Sequence, residues 1–389
     1  MDYIANSAKP AKIVFALQVV GHPRDSKRIA MLLENGFLVE AAAFQRDYHK
    51  GRPPECAVKS LGKIKHGKYF RRLFVMLQSI PKIRSAISVN DAVYASGPDM
   101  ALLAIVAGLG LCKPVVLEIG DIQRIQISKS FIGMMMRFLD RFVAKRCVLL
   151  VATTPDFVDG YYSKRLGVKT PALIVENKLE KPVDDNRPAN QVSSTIPATS
   201  TKLRIGYFGV LRCGWTWSML EQLASTHPDK FEIVVAGIPM NPSDLDEKVS
   251  GSRNMKYLGK YRSPDDLESL YAQVDIVWTV FPNPNEPDRD WYWAQSICRS
   301  NRFYECCYHR TPIITLMGNG DCPYVQEYDI GITLEKFDYE GISQKLSSIT
   351  SLDLARWRYN LSNLPENVYL YTDEARNLGD AIRSHIRIT

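Results

Sequence analysis

The sequence predicts an α/β protein of two Rossmann-like domains facing a cleft. Three observations predict it. Short apolar runs alternate with segments of helical spacing, the pattern of a parallel sheet covered on both faces. The alternation stops at residues 181–202, rich in Pro, Ser, Thr and Asn, and then starts again. A length of 389 residues also favours two or three domains with sizeable cores. The expected boundaries are 1–180 for the first domain, 181–202 for a linker and 203–371 for the second.

In order, KIVFAL (12–17) is a strand, and Ile29, Leu32 and Leu33 mark a helix that Gly36 can end. FLVEAAAF, DAVYAS and PVVLEI are further strands, the last two separated by a helix over 99–111. CVLLVAT and ALIVEN continue the series. After the linker come LRIGYFG, a helix near 217–226, FEIVVAG, MKYLG, a helix near 264–272, DIVWTV, a short helix and PIIT. The stretch from Asp353 is helical and charged and breaks at Pro365, and TDEARNLGDAIRSHI resumes helical spacing.

Composition narrows the function classes. The net charge of +7 permits attraction to phosphates or anionic lipids without demanding either. The eight Cys form no CxxC pair and the six His do not cluster with them, so a zinc or thioredoxin-like reading has little support. Cys306 and Cys307 read as small apolar packing residues, and a reduced, cytoplasmic compartment fits. MDYIANSAKPAK lacks the apolar run of a signal peptide. The most apolar stretch, ALLAIVAGLGLCKPVVLEI, is interrupted by Lys113 and Pro114, so no membrane span is expected. No nucleic-acid module is legible.

Several motifs carry charge at strand and helix ends. In SNRFYECCYHRTPIIT, Ser300 or Asn301 can cap a helix whose first-turn N–H groups favour an anion. Arg302 and Glu305 share one face of it. Spacing alone reads them as a surface pair worth tenths of a kcal/mol. GYFGVLR places Gly206 and Gly209 at a strand end with Arg212 just beyond, either a phosphate-approaching turn or a tight turn with an exposed Arg. The spacing is not GxGxxG. Glu118 and Asp121 close a buried strand, where ligands bind in parallel sheets. GHPRDSKR offers His22, Arg24 and Arg28 to an acceptor or phosphate, or simply to solvent.

Taken in order, GHPRDSKRIAMLLENGFLVEAAAF, PVVLEIGDI, IVEN, RIGYFGVLR, VVAG, MKYLGKY and SNRFYECCYHRTPIIT resemble the GT-B glycosyltransferases, especially glycosyltransferase family 4. The resemblance covers most of the chain. It implies an acceptor-binding first domain, a nucleotide-sugar-binding second domain, and a C-terminal helix, about 372–389, crossing back to the first. It assigns Glu305 to the ribose hydroxyls, and Arg302 and Arg212 to the diphosphate beside Gly209 and Asn301. Asp121, then Glu118, are the candidates near the reacting hydroxyl: an inverting enzyme needs a carboxylate base there, whereas a retaining one would use Asp121 for positioning. His22 and Arg24 fall to acceptor or phosphate. The implied co-substrate is a UDP- or GDP-linked sugar, with no other cofactor and no metal. The implied acceptor is a glycan or a polyprenyl-diphosphate-linked sugar.

The chain departs from the family pattern at named positions. Ile297 stands where retaining members often carry Glu, Gly120 where His is frequent, Arg310 where a helix-ending Gly is usual, and Lys178 where a Gly follows the Asn. A second basic residue after Arg212 is replaced by the apolar run around Trp215.

Residues 59–84 interleave Lys and Arg with Leu, Ile, Phe and Tyr, a surface that can lie on the inner face of the plasma membrane. KSFIGMMMRFLDRFVAKR offers a second apolar-basic face of the same kind, but reads rather as an ordinary amphipathic helix covering the sheet. NPNEPDRDWYWAQS (283–296) reads as an acidic, aromatic loop able to select a sugar or act as a lid. The expected function is transfer of a sugar from a nucleotide sugar during polysaccharide or glycolipid synthesis. The alternatives are a nucleotide-sugar epimerase of the same architecture and a non-catalytic glycan- or lipid-binding scaffold.

Overall fold

The computed structural model describes residues 9–45, 53–64, 69–181 and 202–386. The chain divides into two compact units. One runs to Asn177 and resumes at Thr372; the other is Lys178–Tyr371. Leu179 exchanges backbone hydrogen bonds with Tyr369 and Tyr371, which ties the end of ALIVENKLE to the second unit. The expected linker lies almost wholly outside the described residues.

The first unit contains β1 (Lys12–Leu17), α1 (Pro23–Glu34), β2 (Leu38–Gln45), β3 (Ala57–Lys63), α2 (Tyr69–Ser88), β4 (Ala92–Ser96) and α3 (Pro98–Ala107). It continues with β5 (Val115–Ile119), α4 (Arg124–Ile127), α5 (Phe131–Ala144), β6 (Leu149–Ala152), a π-helical segment Phe157–Arg165 and β7 (Ala172–Ile174). All seven strands are parallel, in the order β3-β2-β1-β4-β5-β6-β7. β1 and β4 are wholly apolar or small along their buried lengths because helices cover both faces. The order reverses between β1 and β4, which opens a crevice at the carboxyl edge of the sheet.

The second unit contains β8 (Leu203–Leu211), α6 (Gly214–Thr226), β9 (Phe231–Pro239), α7 (Leu245–Ser250), β10 (Met255–Tyr257), α8 (Leu267–Tyr271) and β11 (Ile276–Trp278). Then follow α9 (Arg289–Ser296), α10 (Asn301–Tyr308), β12 (Ile313–Leu316), α11 (Cys322–Glu327), β13 (Gly331–Leu334), α12 (Tyr339–Ser347) and α13 (Ser351–Ser362). Its parallel sheet runs β10-β9-β8-β11-β12-β13, with the reversal between β8 and β11. Alternation is visible in the core. Ile205, Tyr207, Ile233 and Val235 join one apolar layer, while Phe208, Val234 and Ala236 join the other.

The last helix, α14 (Glu374–Arg383), belongs to the first unit and packs on α1. Arg383 donates to the Asn35 carbonyl and lies over the Phe37 ring, fixing the return.

Some local expectations change. Residues 59–84 are not one surface element: Lys59–Lys63 belong to edge strand β3, residues 65–68 lie outside the described set, and α2 carries the rest. The 283–296 stretch is half helix, since Asp288 caps α9 by accepting from the Trp291 N–H at 3.1 Å. Arg310 does take a left-handed conformation, with φ 53°. That costs roughly 1–2 kcal/mol in a side-chain-bearing residue.

Candidate active site

In the second unit the site grows from the start of α10. Ser300 caps the helix by accepting from the Phe303 N–H at 3.2 Å. Ser300 is itself held by Asp321, which accepts from its N–H at 3.0 Å and its hydroxyl at 2.8 Å. Burial raises the pKa of Asp321, and the donors from Ser300 oppose that rise. Asn301 is exposed on the first turn. The cap is therefore anchored from beneath, and the free N–H groups of the turn keep a fixed direction.

Arg302 is half-buried. Its Nη1 donates to the Trp278 carbonyl at 3.3 Å, and its guanidinium lies 5.5 Å from the Tyr207 ring centroid. Tyr207 is on β8 and Trp278 ends β11, so Arg302 lies beside the topological switch. Glu305 is 8% exposed and accepts from the Tyr271 hydroxyl at 2.8 Å. The Tyr271 phenol is driven far up in pKa, by burial first and by the Glu305 charge second, so it acts as a donor to the carboxylate. These are not the features of a solvated surface pair. Arg302 is held at the end of β11 by the Trp278 carbonyl, and Glu305 by Tyr271 at the end of α8.

Gly209 and Gly206 separate into different roles. A Cβ on Gly206 would fall 2.6 Å from the Phe208 ring, so that glycine makes room in the core. Gly206 is thus a packing residue, not a phosphate-approaching one. Gly209 has φ 106°, and an added Cβ would meet only the Tyr261 hydroxyl, at 3.9 Å. Its backbone is open on that side. Arg212 is exposed, with its guanidinium 4.8 Å from the Phe281 ring just past β11. Gly209 and Arg212 thus lie at the end of β8 and Arg302 at the end of β11, with Glu305 one turn further along α10.

Cys306 and Cys307 are buried in the adjoining core, and burial pushes both thiols well up, away from nucleophilic thiolate chemistry. No group of His, Cys, Asp and Glu able to hold a metal ion occurs among the described residues.

In the first unit, Glu118 is fully buried. It accepts from the Tyr94 hydroxyl and from Arg28 Nε at 3.4 Å, and Arg24 Nε approaches its other oxygen at 3.5 Å. Arg28 is wholly buried and also donates to the Val175 and Glu176 carbonyls. Asp25 completes the cluster, taking a 2.8 Å hydrogen bond from Ser96. Its carboxyl is pushed up to about 6, chiefly by burial.

This geometry makes Glu118 a buried structural charge rather than a base open to an acceptor. Arg28 is likewise no solvated loop charge. Asp121, two residues past β5, is exposed and stays accessible. His22 stands half-buried at the start of α1 with no side-chain cap bond. The Arg24 guanidinium lies over Gly120, where a Cβ would fall 1.7 Å from its Cζ. A side chain at 120 would displace it. Asp25, Tyr94 and Ser96 escaped sequence reasoning because each reads as an ordinary loop or strand residue.

No family model matches the chain. It is 27% identical over 354 residues to the succinoglycan biosynthesis protein ExoL of Rhizobium meliloti (strain 1021), covering 87% of this chain and 85% of that protein. Among solved structures it resembles Anabaena Alr3699/HepE in complex with UDP and glucose, with a TM-score of 0.67, 14% identity, and coverage of 96% of this chain and 100% of that one. Sucrose-phosphate synthase from Thermosynechococcus elongatus gives a TM-score of 0.70 at 13% identity, covering 96% of this chain and 98% of that one. WaaG, a glycosyltransferase involved in lipopolysaccharide biosynthesis, gives 0.64 at 15%, covering 95% and 99%. The chain has the two-domain GT-B fold of these glycosyltransferases.

Proposed function

We propose that this protein transfers a sugar from a nucleoside-diphosphate sugar, UDP- or GDP-linked, to a glycan or polyprenyl-diphosphate-linked acceptor in polysaccharide or glycolipid synthesis. The observation that carries the proposal is Arg302 at the β8/β11 switch with Glu305 one turn behind it on α10, its carboxylate held by Tyr271. HepE, of the same fold, is known in complex with UDP-glucose, and ExoL takes part in succinoglycan biosynthesis. Both support the reading.

Glu305, fixed by Tyr271, presents an ionised carboxylate to the two ribose hydroxyls. The diphosphate lies against the Gly209 backbone and the first turn of α10, where N–H groups favour an anion. Arg302 and Arg212 offset the charge that develops on the departing diphosphate, so the reaction proceeds without a metal ion. Asp121 faces the acceptor, as base if configuration inverts or as a hydroxyl-positioning group if it is retained. The protein works at the cytoplasmic face of the plasma membrane, with the exposed Phe74 and Leu77 of α2 as part of the contact. No described helix is long and apolar enough to cross a membrane.

A thermal-shift screen of nucleotide sugars tests the proposal. A ligand at a hundred times its Kd should add about 2.7 kcal/mol of apparent stability. Stabilisation by one nucleotide diphosphate and its sugar supports it; no shift with any of them refutes it. Product analysis with donor alone separates transfer from epimerisation.

A further inference from the structure

We infer that Arg24, seated on Gly120, is a receptor for an oxyanion, a carboxylate or a phosphate, that the acceptor carries close to its reacting hydroxyl. The word acceptor rests on the sugar-transfer reading. The anion site itself stands on the geometry of the first unit alone.

Arg24 is in the first turn of α1, shortly after β1, and Gly120 directly follows β5. The sheet order places β4 between those two strands. The Arg24 side chain therefore reaches across the end of β4, over the crevice where the strand order reverses. A Cβ at position 120 would lie 1.7 Å from the guanidinium carbon and 1.8 and 2.0 Å from the two terminal nitrogens. Such similar distances set the flat face of the group against the Gly120 backbone. Its N–H bonds lie in the plane of the group, so they run past Gly120 and not into it.

Those N–H groups are unfilled. Among the described residues Arg24 donates no hydrogen bond. Its Nε is buried without a partner, and its ion pair with Glu118, at 3.5 Å, falls short of one. Glu118 is already served by Tyr94 and Arg28, and Asp25 by Ser96 at 2.8 Å. Arg28 shows the contrast: it is wholly buried and donates to Glu118 and to the Val175 and Glu176 carbonyls. The Arg24 side chain is only 18% exposed. A cation so enclosed with open donors costs stability until a ligand fills them.

The chemistry of the group selects the ligand. A guanidinium offers its N–H bonds as a rigid fork that matches two oxygens of a carboxylate or phosphate, whereas a neutral hydroxyl fills one donor at most. Location selects the part of the substrate. Gly120 precedes Asp121, which is exposed, and consecutive Cα atoms are about 3.8 Å apart. One sugar can therefore set an anionic substituent on Arg24 while turning a hydroxyl to Asp121. The acceptor class that fits is a sugar acid, a sugar phosphate or a sugar joined directly to a lipid diphosphate.

Ligand-observed NMR titration of the full chain tests the inference at constant ionic strength. The probes are glucuronate, glucose-6-phosphate and geranyl diphosphate, with glucose as the neutral control. Wild type should bind at least one anionic probe about tenfold or more tighter than glucose, and the best probe identifies the substituent. Arg24→Ala should lose that preference, and Arg24→Lys, which keeps the charge without the fork, should recover only part of it. Gly120→Ala is the sharper variant. It keeps every charge, and the three atoms nearest its new methyl all belong to the far end of the flexible Arg24 side chain. It should therefore fold with an unchanged thermal midpoint and still lose about tenfold in anion binding. Arg302→Ala, which alters the second unit, should keep the preference. Two results would overturn the inference: no anionic probe preferred by wild type, or a preference that Arg24→Ala and Gly120→Ala both retain. An Arg24-dependent preference without any thermal shift from nucleotide sugars would instead refute sugar transfer and leave the anion site standing.

Discussion

The Tyr271 hydroxyl donates to Glu305 at 2.8 Å from a buried position, so the carboxylate is oriented from behind by a residue on a different helix. Tyr271 also stacks on His309 at 4.9 Å, which fixes the ring that carries the donor. Tyr271→Phe keeps the stacking and removes only the hydrogen bond. It should cost roughly 1–2 kcal/mol of stability by denaturant titration. It should also raise the KM for the nucleotide sugar while leaving kcat less affected.

Glu118 and Asp121 should separate cleanly. Glu118→Ala leaves Arg28 buried without its carboxylate and should cost about 3–5 kcal/mol. Asp121→Asn, at an exposed position, should stay within about 0.5 kcal/mol of wild type. If Asp121 faces the acceptor, its variant should nonetheless lose most of the transfer rate. A stable, fully active Asp121→Asn protein would remove Asp121 from the reaction.

Asp25 should make stability fall as pH rises through the mildly acidic range. Its carboxyl moves from 3.8 to about 6 on folding, so between those values the folded chain keeps a proton that the unfolded chain has lost. The folded state therefore loses up to about 3 kcal/mol across that window and no more above it. Asp25→Asn should remove this slope. The difference between the wild-type and variant stability curves from pH 4 to about 6.5 isolates the contribution from other carboxyls.

Gly237→Ala should be severe. The residue has φ 132°, and its new Cβ would lie 1.8 Å from the Gly209 carbonyl oxygen. Backbone cannot yield as a flexible side chain can, so a loss above about 2 kcal/mol is expected by thermal unfolding. Because Gly209 must shift, nucleotide affinity should fall with stability.

Much of the architecture is legible in the sequence because buried parallel strands are short, continuous apolar runs, and KIVFAL, PVVLEI and FEIVVAG stand out as such. The elements that hide are those with little to bury. β3, AVKSLGK, is a mostly exposed edge strand, and β13 is four residues at the other sheet's edge. The site is only half legible. Arg302 and Glu305 announce themselves by helix spacing, but their burial and their contacts with Trp278 and Tyr271 are tertiary facts. Gly206 and Gly209 look alike in GYFG; only the Phe208 ring beside one and open space beside the other tell them apart. Likewise Glu118 and Asp121 lie three residues apart, yet one faces Arg28 inside the fold and the other is exposed.

The most direct test of the central claim is calorimetric titration of UDP and GDP into wild type and Glu305→Ala, run beside their unfolding curves. If Glu305 receives the ribose, the nucleotide that binds wild type should lose about a hundredfold or more in affinity, about 2.7 kcal/mol, a larger free-energy change than the roughly 1–2 kcal/mol of folding stability that goes with the Tyr271 hydrogen bond. Unchanged affinity, or equal losses in binding and folding, would contradict the account and leave Glu305 as a structural carboxylate under Tyr271.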